Sequence, residues 1–289
     1  MPARTPFLLV MAKAPIPGFA KTRLCPPATP TQAALLAAAC LLDTLDAARA
    51  TGAPVVVALA GNADRIMATD GVLSDGGMAS DRVPIADGDM PADGDLAADV
   101  RQALRRVDVI PQHGIGLGER LANAHADAAR LHPGAPVLQI GMDTPQVTTH
   151  GLAAALALLE ARAPDVVSPT HDVVFPAQGA VCHADGDSRV DAVLGAATDG
   201  GWWALGLRDP AHAAALTGVP MSTSETGDRT RDALHARGLR IADLPVLSDV
   251  DTMADAVRVA PDAPKSRFAQ ALGDVLAVRG APERMGLRA

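Results

Sequence analysis

The stretch that decides the fold lies near the start of the chain, where residues 7–24 read FLLVMAKAPIPGFAKTRL. Its first part, Phe7–Met11, is apolar and typical of a buried strand. A loop with two prolines and a glycine follows, and the sequence then predicts a helix over Thr31–Arg49, opened by Thr29-Pro30 and ended by Gly52. A strand, a loop and a helix in this order indicate one unit of an α/β sheet.

The alternation of strand and helix continues along the chain. Further strands are predicted at Val55–Leu59, Val137–Ile140, Asp165–Val167, Ala192–Leu194, Trp203–Leu207 and Ile241–Leu244. Further helices are predicted at Leu117–Leu131, Leu152–Arg162, Ser222–Arg237 (with a capping box from Ser222 to Glu225) and Met253–Val259. This order predicts an α/β fold with a mostly parallel central sheet flanked by helices. Such sheets bind ligands beyond the carboxyl ends of their strands, so residues just after a strand are the candidates for a site.

We predict one domain over residues 1–261, with insertions near 61–94 and 168–189, and a helical tail over 262–289. The first insertion is rich in Asp and Gly, but the twelve-residue calcium-loop pattern with its terminal Glu is absent, which favours a solvated loop. The second contains Cys182-His183 and Asp185, which could suggest a metal. Because neighbouring Cys and His do not chelate one ion easily, a surface insertion is favoured.

Composition and charge exclude several classes of protein. Of the 289 residues, 48% are hydrophobic and 20% are charged, as in a folded globular protein. The net charge of −8, without a concentrated basic stretch, argues against nucleic acid and anionic membranes as partners. The three cysteines are far apart, so neither a disulfide framework nor a thiolate zinc site is expected. The apolar runs are too short for a signal peptide or a membrane span, and we therefore expect a soluble, cytoplasmic protein.

Three cations follow the first strand. The loop over residues 13–24 carries Lys13, Lys21 and Arg23, and two prolines stiffen it. Several cations at one strand end suit a polyphosphate, and an Arg can bind two of its oxygens at once. The alternative is a proline-rich surface loop with solvated basic residues.

Carboxylates follow two later strands. Asp143, in the segment GMDTP, can reach a metal that bridges two phosphates; alternatively it caps the helix that begins near Thr148. Asp249 and Asp251 lie two residues apart on an extended segment and therefore point the same way, which suits a cation. Thr252 or Asp251 could also cap the last helix, and the two roles are compatible.

Two glycine-rich segments complete the candidates. Residues 197–203 read ATDGGWW, in which the glycines let the backbone approach a ligand and a tryptophan ring could stack on it. Because successive strand residues face opposite sides, at least one tryptophan should be part of the core. Residues 116–120 read GLGER and open a helix, which could bind an anion or be a plain helix start.

Together these segments resemble the DUF2064 family of predicted glycosyltransferases, in the nucleotide-diphospho-sugar transferase (GT-A) superfamily. The resemblance spans about residues 7–255, although Met142 replaces a serine of the family pattern and Trp202-Trp203 replace a tyrosine pair. The Lys-Thr-Arg-Leu core is also similar to phospholactate guanylyltransferases and, more distantly, to the Gly-Thr-Arg-Leu loop of sugar nucleotidyltransferases.

The resemblance implies a role for each segment. The loop after the first strand is expected to wrap nucleotide phosphates, through Lys13, Pro17, Gly18, Lys21, Thr22 and Arg23. Within it, Lys21 and Arg23 are expected to act catalytically by offsetting the charge of the leaving pyrophosphate. The carboxylates expected to hold Mg²⁺ or Mn²⁺ are Asp143, Asp249 and Asp251. The residues expected to bind substrate are Thr198, Asp199, Gly200 and Gly201.

The sequence therefore predicts a Mg²⁺-dependent transferase that moves a nucleotidyl group from a nucleoside triphosphate to a small phosphorylated acceptor. One alternative is a glycosyltransferase with a nucleotide-sugar donor. Another is a non-catalytic nucleotide or metabolite sensor, against which the three acidic positions argue.

Because Lys21 and Arg23 are expected to be exposed, replacing either should change folding stability little.

Overall fold

The structure is a computed structural model that describes residues 4–62, 96–160, 173–175, 180–182 and 190–280. Most of the two predicted insertions therefore lies outside the described residues. The same holds for the predicted strand Asp165–Val167 and for His183 and Asp185.

Nine strands occur in the described part of the chain. They are β1 (Phe7–Lys13), β2 (Val55–Ala60), β3 (Asp108–Pro111), β4 (Val137–Gly141), β5 (Val173–Phe175), β6 (Ala180–Cys182), β7 (Ala192–Ala197), β8 (Trp202–Leu207) and β9 (Ile241–Leu247). Seven form one sheet in the order β3-β2-β1-β4-β8-β7-β9, and β5 pairs with β6. Within the large sheet, β8 runs antiparallel to both of its neighbours, and every other pair is parallel. The predicted mostly parallel sheet is confirmed.

Seven α-helices accompany the strands over the same described ranges. They are α1 (Pro30–Arg49), α2 (Leu96–Leu104), α3 (Gly116–Leu131), α4 (Thr149–Glu160), α5 (Thr226–His235), α6 (Met253–Val259) and α7 (Arg267–Gly280). Short 3-10 helices cover Thr22–Leu24, Pro210–Gly218 and Ala260–Asp262.

The sheet is covered on both faces, as its apolar strands require. Leu8 and Val10 of β1 pack into a core with α1, α2 and α4, whereas Phe7 and Leu9 pack into a second core with α3, α5 and the 3-10 helix at Pro210–Gly218. Because alternate residues enter opposite cores, β1 is a continuous apolar run. The register sets Met11 opposite both Ala58 of β2 and Gly141 of β4, so these parallel strands end at one edge.

Helix α1 is buried on two sides. It packs on the sheet, and with α6 and α7 it encloses a third core around Leu36 and Phe268. Among the described helices, α1 is long and apolar enough to cross a bilayer, but 72% of its apolar window is buried inside the fold. Its composition is that of a central core helix.

The structure corrects some predicted boundaries. Helix α5 begins at Thr226, and the predicted capping box from Ser222 to Glu225 is wrong. Ser222 has a φ of 59°, whereas an N-cap residue needs extended backbone. Strand β9 continues through Pro245, which is tolerated because β9 lies at the edge of the sheet. Neither α2 nor the short edge strand β3 was predicted.

Candidate functional site

A cleft of about 550 Å³ lies over the carboxyl edge of the sheet, where β1 and β4 end. Its floor includes the ends of these strands and the start of β8. Four cationic side chains line it: Lys13, Lys21, Arg23 and Arg120. Four carboxylates line it too: Asp143, Asp199, Asp249 and Asp251. The predicted edge of the sheet therefore carries a cleft rich in charged groups.

Lys21 connects three loops at one side of this cleft. Its ammonium lies 2.9 Å from Asp143 Oδ2 and 3.3 Å from Asp251 Oδ1, and it also donates a hydrogen bond to the carbonyl of Val250. The backbone of Lys21 is left-handed, with φ 52° and ψ 37°, immediately before the 3-10 turn Thr22–Leu24. One side chain thus joins the loop after β1 to those after β4 and β9.

The expected exposure of Lys21 is wrong, because its side chain is only 9% exposed. Burial alone lowers the pKa of the ammonium, but the charges of Asp143 and Asp251 outweigh burial and hold the pKa above its ordinary value. Lys21 is therefore a charged and partly structural residue. A change there should affect folding as well as binding.

The Arg23 side chain is exposed, as predicted from the sequence. Its side chain is 71% exposed, and its Nη1 lies 3.6 Å from Asp251 Oδ2. Lys13 and Thr22 line the cleft beside it, whereas Pro17 and Gly18 are exposed in the same loop outside the lining residues. The structure thus brings four of the six predicted phosphate-loop residues to the cleft, and their role in binding stays a prediction.

The acidic loops after β4 and β9 are tied together. The Val250 N–H donates to the carbonyl of Asp143 at 2.9 Å, and Thr144 Oγ1 donates to Asp249 Oδ1 at 2.8 Å. Burial, with a further contribution from the Asp143 charge, raises the pKa of the Asp249 carboxyl above its ordinary value. Asp143, Asp249 and Asp251 are thus gathered at one end of the cleft.

Helix capping does not account for these carboxylates. Thr252 caps α6, and its capping-box partner is Asp255. The Thr148 hydroxyl accepts the Gly151 N–H at the start of α4. The acidic side chains of the preceding loops are left to face Lys21, Thr144 and the cleft.

Within the described part of the chain, no group of three or more His, Cys, Asp or Glu side chains is arranged to hold a metal ion. Two carboxylates do meet, at the Lys21 ammonium, so Asp143 and Asp251 already share one cation. Mg²⁺ is commonly bound by one or two carboxylates together with substrate phosphates, so this pair fits such an ion. The site formed by all three aspartates stays a prediction.

The ATDGGWW segment connects β7 to β8 and contributes to the lining of the cleft. Asp199 and Gly201 line the cleft, and Asp199 Oδ1 accepts the Gly201 N–H at 2.8 Å. The hydroxyl of Thr198 pairs with Ser248 at 2.9 Å, beside Asp249. Gly200, with a φ of 88°, lies against the Ser224 backbone so closely that a Cβ would overlap it. Substrate binding by these residues stays a prediction.

The two tryptophans divide between the faces of the sheet, as the alternation of strand residues predicted. Trp203 is 3% exposed and donates from Nε1 to the carbonyl of Pro245 at 2.9 Å. Trp202 is half-buried against the other core and donates to Thr230 Oγ1 at 3.1 Å. Each indole N–H therefore has a hydrogen-bond partner. The local structure does not depend on the hydroxyl groups that a tyrosine pair would carry here.

Sequence reasoning missed the polar residues beneath the cleft. Gln139 of β4 faces the cleft floor and pairs with the buried His125 of α3 at 2.9 Å. Gln112 donates to the carbonyls of Ala12 and Ala58, at the ends of β1 and β2. A glutamine inside the apolar strand at 137–140 was the available signal, because a buried amide needs a hydrogen-bond partner.

Comparison with known proteins gives a family and a fold. Residues 44–175 and 177–223, more than half of the chain, match the family described as "Uncharacterized protein conserved in bacteria (DUF2064)". Among curated proteins, none matches. The resemblance to phospholactate guanylyltransferases stays a prediction.

Several solved structures align with most of the chain. A proposed nucleotide-diphospho-sugar transferase from Desulfovibrio desulfuricans G20 aligns over 95% of this chain and 96% of its own, with a TM-score of 0.66 and 21% identity. A nucleotidyl transferase from Methanothermobacter aligns over 92% and 98%, with a TM-score of 0.44 and 13% identity. Glucosyl-3-phosphoglycerate synthase from Mycobacterium tuberculosis aligns over 97% and 82%, with a TM-score of 0.42 and 11% identity. The first of these similarities confirms the predicted fold class.

Proposed function

The chain belongs to the DUF2064 family, and from this premise we propose that it is a metal-dependent transferase that acts on an activated nucleotide. The observation that carries the proposal is the meeting of Lys21 with Asp143 and Asp251 at the carboxyl edge of the sheet, with Arg23 beside them. Cations and carboxylates in one cleft suit a polyphosphate and its metal, respectively.

The cleft has the size and charge for a nucleotide. Its volume of about 550 Å³ is within the range of roughly 300–1,000 Å³ typical of small-molecule sites. The loop after β1 brings two further cations to the cleft. Arg23 is largely exposed, and Lys13 has no carboxylate partner among the described residues. Lys13 and the Arg23 nitrogens that do not face Asp251 can contact phosphate oxygens without any displacement of Lys21.

We favour nucleotidyl transfer over glycosyl transfer. An oxygen of the acceptor would attack the α-phosphorus of a triphosphate, and a hydroxyl would give up its proton to water. The bond from the α-phosphorus to the bridging oxygen would break, so that pyrophosphate leaves with the electron pair. Asp143, with Asp249 or Asp251, would hold a Mg²⁺, which would supply positive charge to offset that of the phosphates. Lys13, Lys21 and Arg23 would stabilise the departing pyrophosphate, for which three cations are more useful than for a nucleoside diphosphate.

A panel of ligands tests the proposal. Melting temperatures are measured with ATP, GTP, CTP, UTP and common nucleotide-sugars, each with Mg²⁺ and with a chelator. A triphosphate at one hundred times its Kd should add about 2.7 kcal/mol to stability, or several degrees at about 2–4 °C per kcal/mol. The shift should shrink when the metal is chelated. A shift with nucleotide-sugars alone would favour glycosyl transfer, and no shift with any nucleotide would overturn the proposal.

A further inference from the structure

One wall of the cleft lies on the α3 side of the sheet, whereas the loop that carries Lys21 leads into α1 on the other side. This wall is formed by the first turn of α3, with Arg120, and by the loop Met221–Thr226, of which Met221–Ser224 and Thr226 line the cleft. We call this loop the hydroxyl loop. The two parts are close neighbours, because a Cβ at Gly118 would overlap the Leu216 carbonyl and contact the end of the Met221 side chain. Arg120 and the hydroxyl loop therefore belong to one surface.

Arg120 is held in place but not neutralised. Its Nε donates to the carbonyl of Gly116 at 3.1 Å, and its two terminal nitrogens have no partner among the described residues. The nearest acidic residue in sequence, Glu119, accepts the N–H of Ile115 at 2.8 Å instead. A guanidinium anchored through Nε keeps both terminal nitrogens for an anion, which is the geometry of bidentate phosphate binding.

Hydrogen bonds hold the hydroxyl loop together. Thr226 Oγ1 donates to the Pro220 carbonyl at 2.9 Å and accepts the Thr223 N–H at 3.0 Å. The loop is also fixed to the ATDGGWW segment, since the Gly227 N–H donates to the Gly200 carbonyl at 2.8 Å. The hydroxyl groups of Thr226 and Thr223 therefore make hydrogen bonds within the loop.

The remaining hydroxyls have no structural task. Ser222 and Ser224 are exposed, line the cleft and have no hydrogen-bond partner in the described part of the chain. Ser222 adopts a left-handed φ of 59°, a conformation that residues other than glycine rarely adopt. Strain at an exposed, unpaired position that lines a cleft points to a role in binding.

From these observations we propose that Arg120, Ser222 and Ser224 form a second phosphate-binding subsite, which holds the phosphate group of the acceptor. The inference rests on the proposed function, because it assigns the facing wall to the donor nucleotide. An arginine fork with serine hydroxyls provides several hydrogen-bond donors, as a phosphomonoester requires. The reacting oxygen of such an acceptor would then face the triphosphate across the cleft floor.

The test measures two ligands on matched variants of the full chain. Isothermal titration calorimetry is performed with glycerol 3-phosphate, with glycerol as its phosphate-free match, and separately with the four triphosphates plus Mg²⁺. Arg120→Met should weaken binding of glycerol 3-phosphate about tenfold or more and leave triphosphate binding within about twofold. Ser222→Ala should weaken glycerol 3-phosphate by about two- to fivefold. Arg23→Met, on the opposite wall, should weaken the triphosphate and spare glycerol 3-phosphate.

The other outcomes distinguish failure of the phosphate subsite from failure of the proposed function. If glycerol 3-phosphate binds no more tightly than glycerol, or if Arg23→Met rather than Arg120→Met abolishes its binding, the subsite is overturned. The same holds if Arg120→Met weakens the triphosphate as strongly as glycerol 3-phosphate, because the wall would then belong to the nucleotide. If no triphosphate binds while Arg120→Met still abolishes glycerol 3-phosphate binding, the proposed function fails and the phosphate subsite stands. Melting temperatures of all variants check that each is folded.

Discussion

The Lys21 ammonium lies 2.9 Å from the carboxylate of Asp143, although the two residues are 122 positions apart in sequence. One follows β1 and the other follows β4, and these strands are neighbours in the sheet. The pair therefore joins the predicted phosphate loop to the predicted metal site. Without ligand, the Lys21 ammonium is therefore already paired with the carboxylates of Asp143 and Asp251.

The first prediction separates the two catalytic candidates by their effect on folding. Lys21→Met should lower the free energy of unfolding by about 1–2 kcal/mol, because it leaves Asp143 and Asp251, both partly exposed, without their shared cation. Arg23→Met should change it by less than about 0.5 kcal/mol, since the Arg23 side chain is 71% exposed. Urea unfolding measures both. Equal effects of the two variants would contradict the buried role of Lys21.

A second prediction concerns metal binding without nucleotide. An ammonium and a divalent ion repel each other when both contact the same carboxylates, so Lys21 should compete with Mn²⁺ at Asp143 and Asp251. Lys21→Met should therefore bind Mn²⁺ more tightly than the natural chain does, by about three- to tenfold. Electron paramagnetic resonance of free Mn²⁺ measures the affinity, and Asp251→Asn in the Lys21→Met background is the control. Weaker Mn²⁺ binding by Lys21→Met would argue against a metal at these carboxylates.

How far the sequence predicted this site can be judged from the same residues. The apolar run of β1 and the strand–helix alternation determine which loops meet at the carboxyl edge, so Lys21, Asp143 and Asp251 could be nominated together. Their side-chain pairing could not, because it depends on the left-handed backbone of Lys21, a conformation that lysine rarely adopts and that no pattern indicates.

The failures have physical causes too. Ser222 and Glu225 match a capping-box spacing, but the left-handed φ of Ser222 places the helix start four residues later. Strand β3 is four residues long, lies at the sheet edge and is mostly exposed, so its sequence lacks the apolar run that reveals the central strands. Short, exposed or strained segments are decided by tertiary contacts.

A third prediction uses Gly141, the last residue of β4. A Cβ at this position would overlap the Asp143 carboxylate, whose end can move away at little cost to folding. Gly141→Ala should therefore displace that carboxylate from Lys21 and weaken binding of a triphosphate with Mg²⁺ about tenfold, with less than about 1 kcal/mol of lost stability. Gly218→Ala, where a Cβ meets nothing within 4 Å, is the matched control. An unchanged affinity in Gly141→Ala would show that the position of Asp143 does not matter for binding.

The last prediction concerns pH. His125 is fully buried, and burial lowers the pKa of its imidazole to about 4 from an ordinary value of 6.5. Its Nε2 pairs with Gln139, and its Nδ1 has no hydrogen-bond partner, so a second proton would be buried without an acceptor. Between these two pKa values the unfolded chain binds a proton at His125 that the folded chain does not bind. Acid therefore favours the unfolded state in this window.

The contribution of His125 to stability should be constant above about pH 7 and fall as the pH drops from 6.5 to 4, by up to about 3 kcal/mol. Other groups also titrate there, so the measurement is a comparison of urea unfolding in the natural chain and in His125→Gln, which removes the titrating group. His125→Gln should lose less stability between pH 7 and pH 5 than the natural chain does. His235→Gln, at an exposed position of α5, should leave the slope unchanged. Parallel pH profiles for the natural chain and His125→Gln would mean that His125 can take up a proton while the fold stays intact, and that the core beneath the cleft is less closed than its burial indicates.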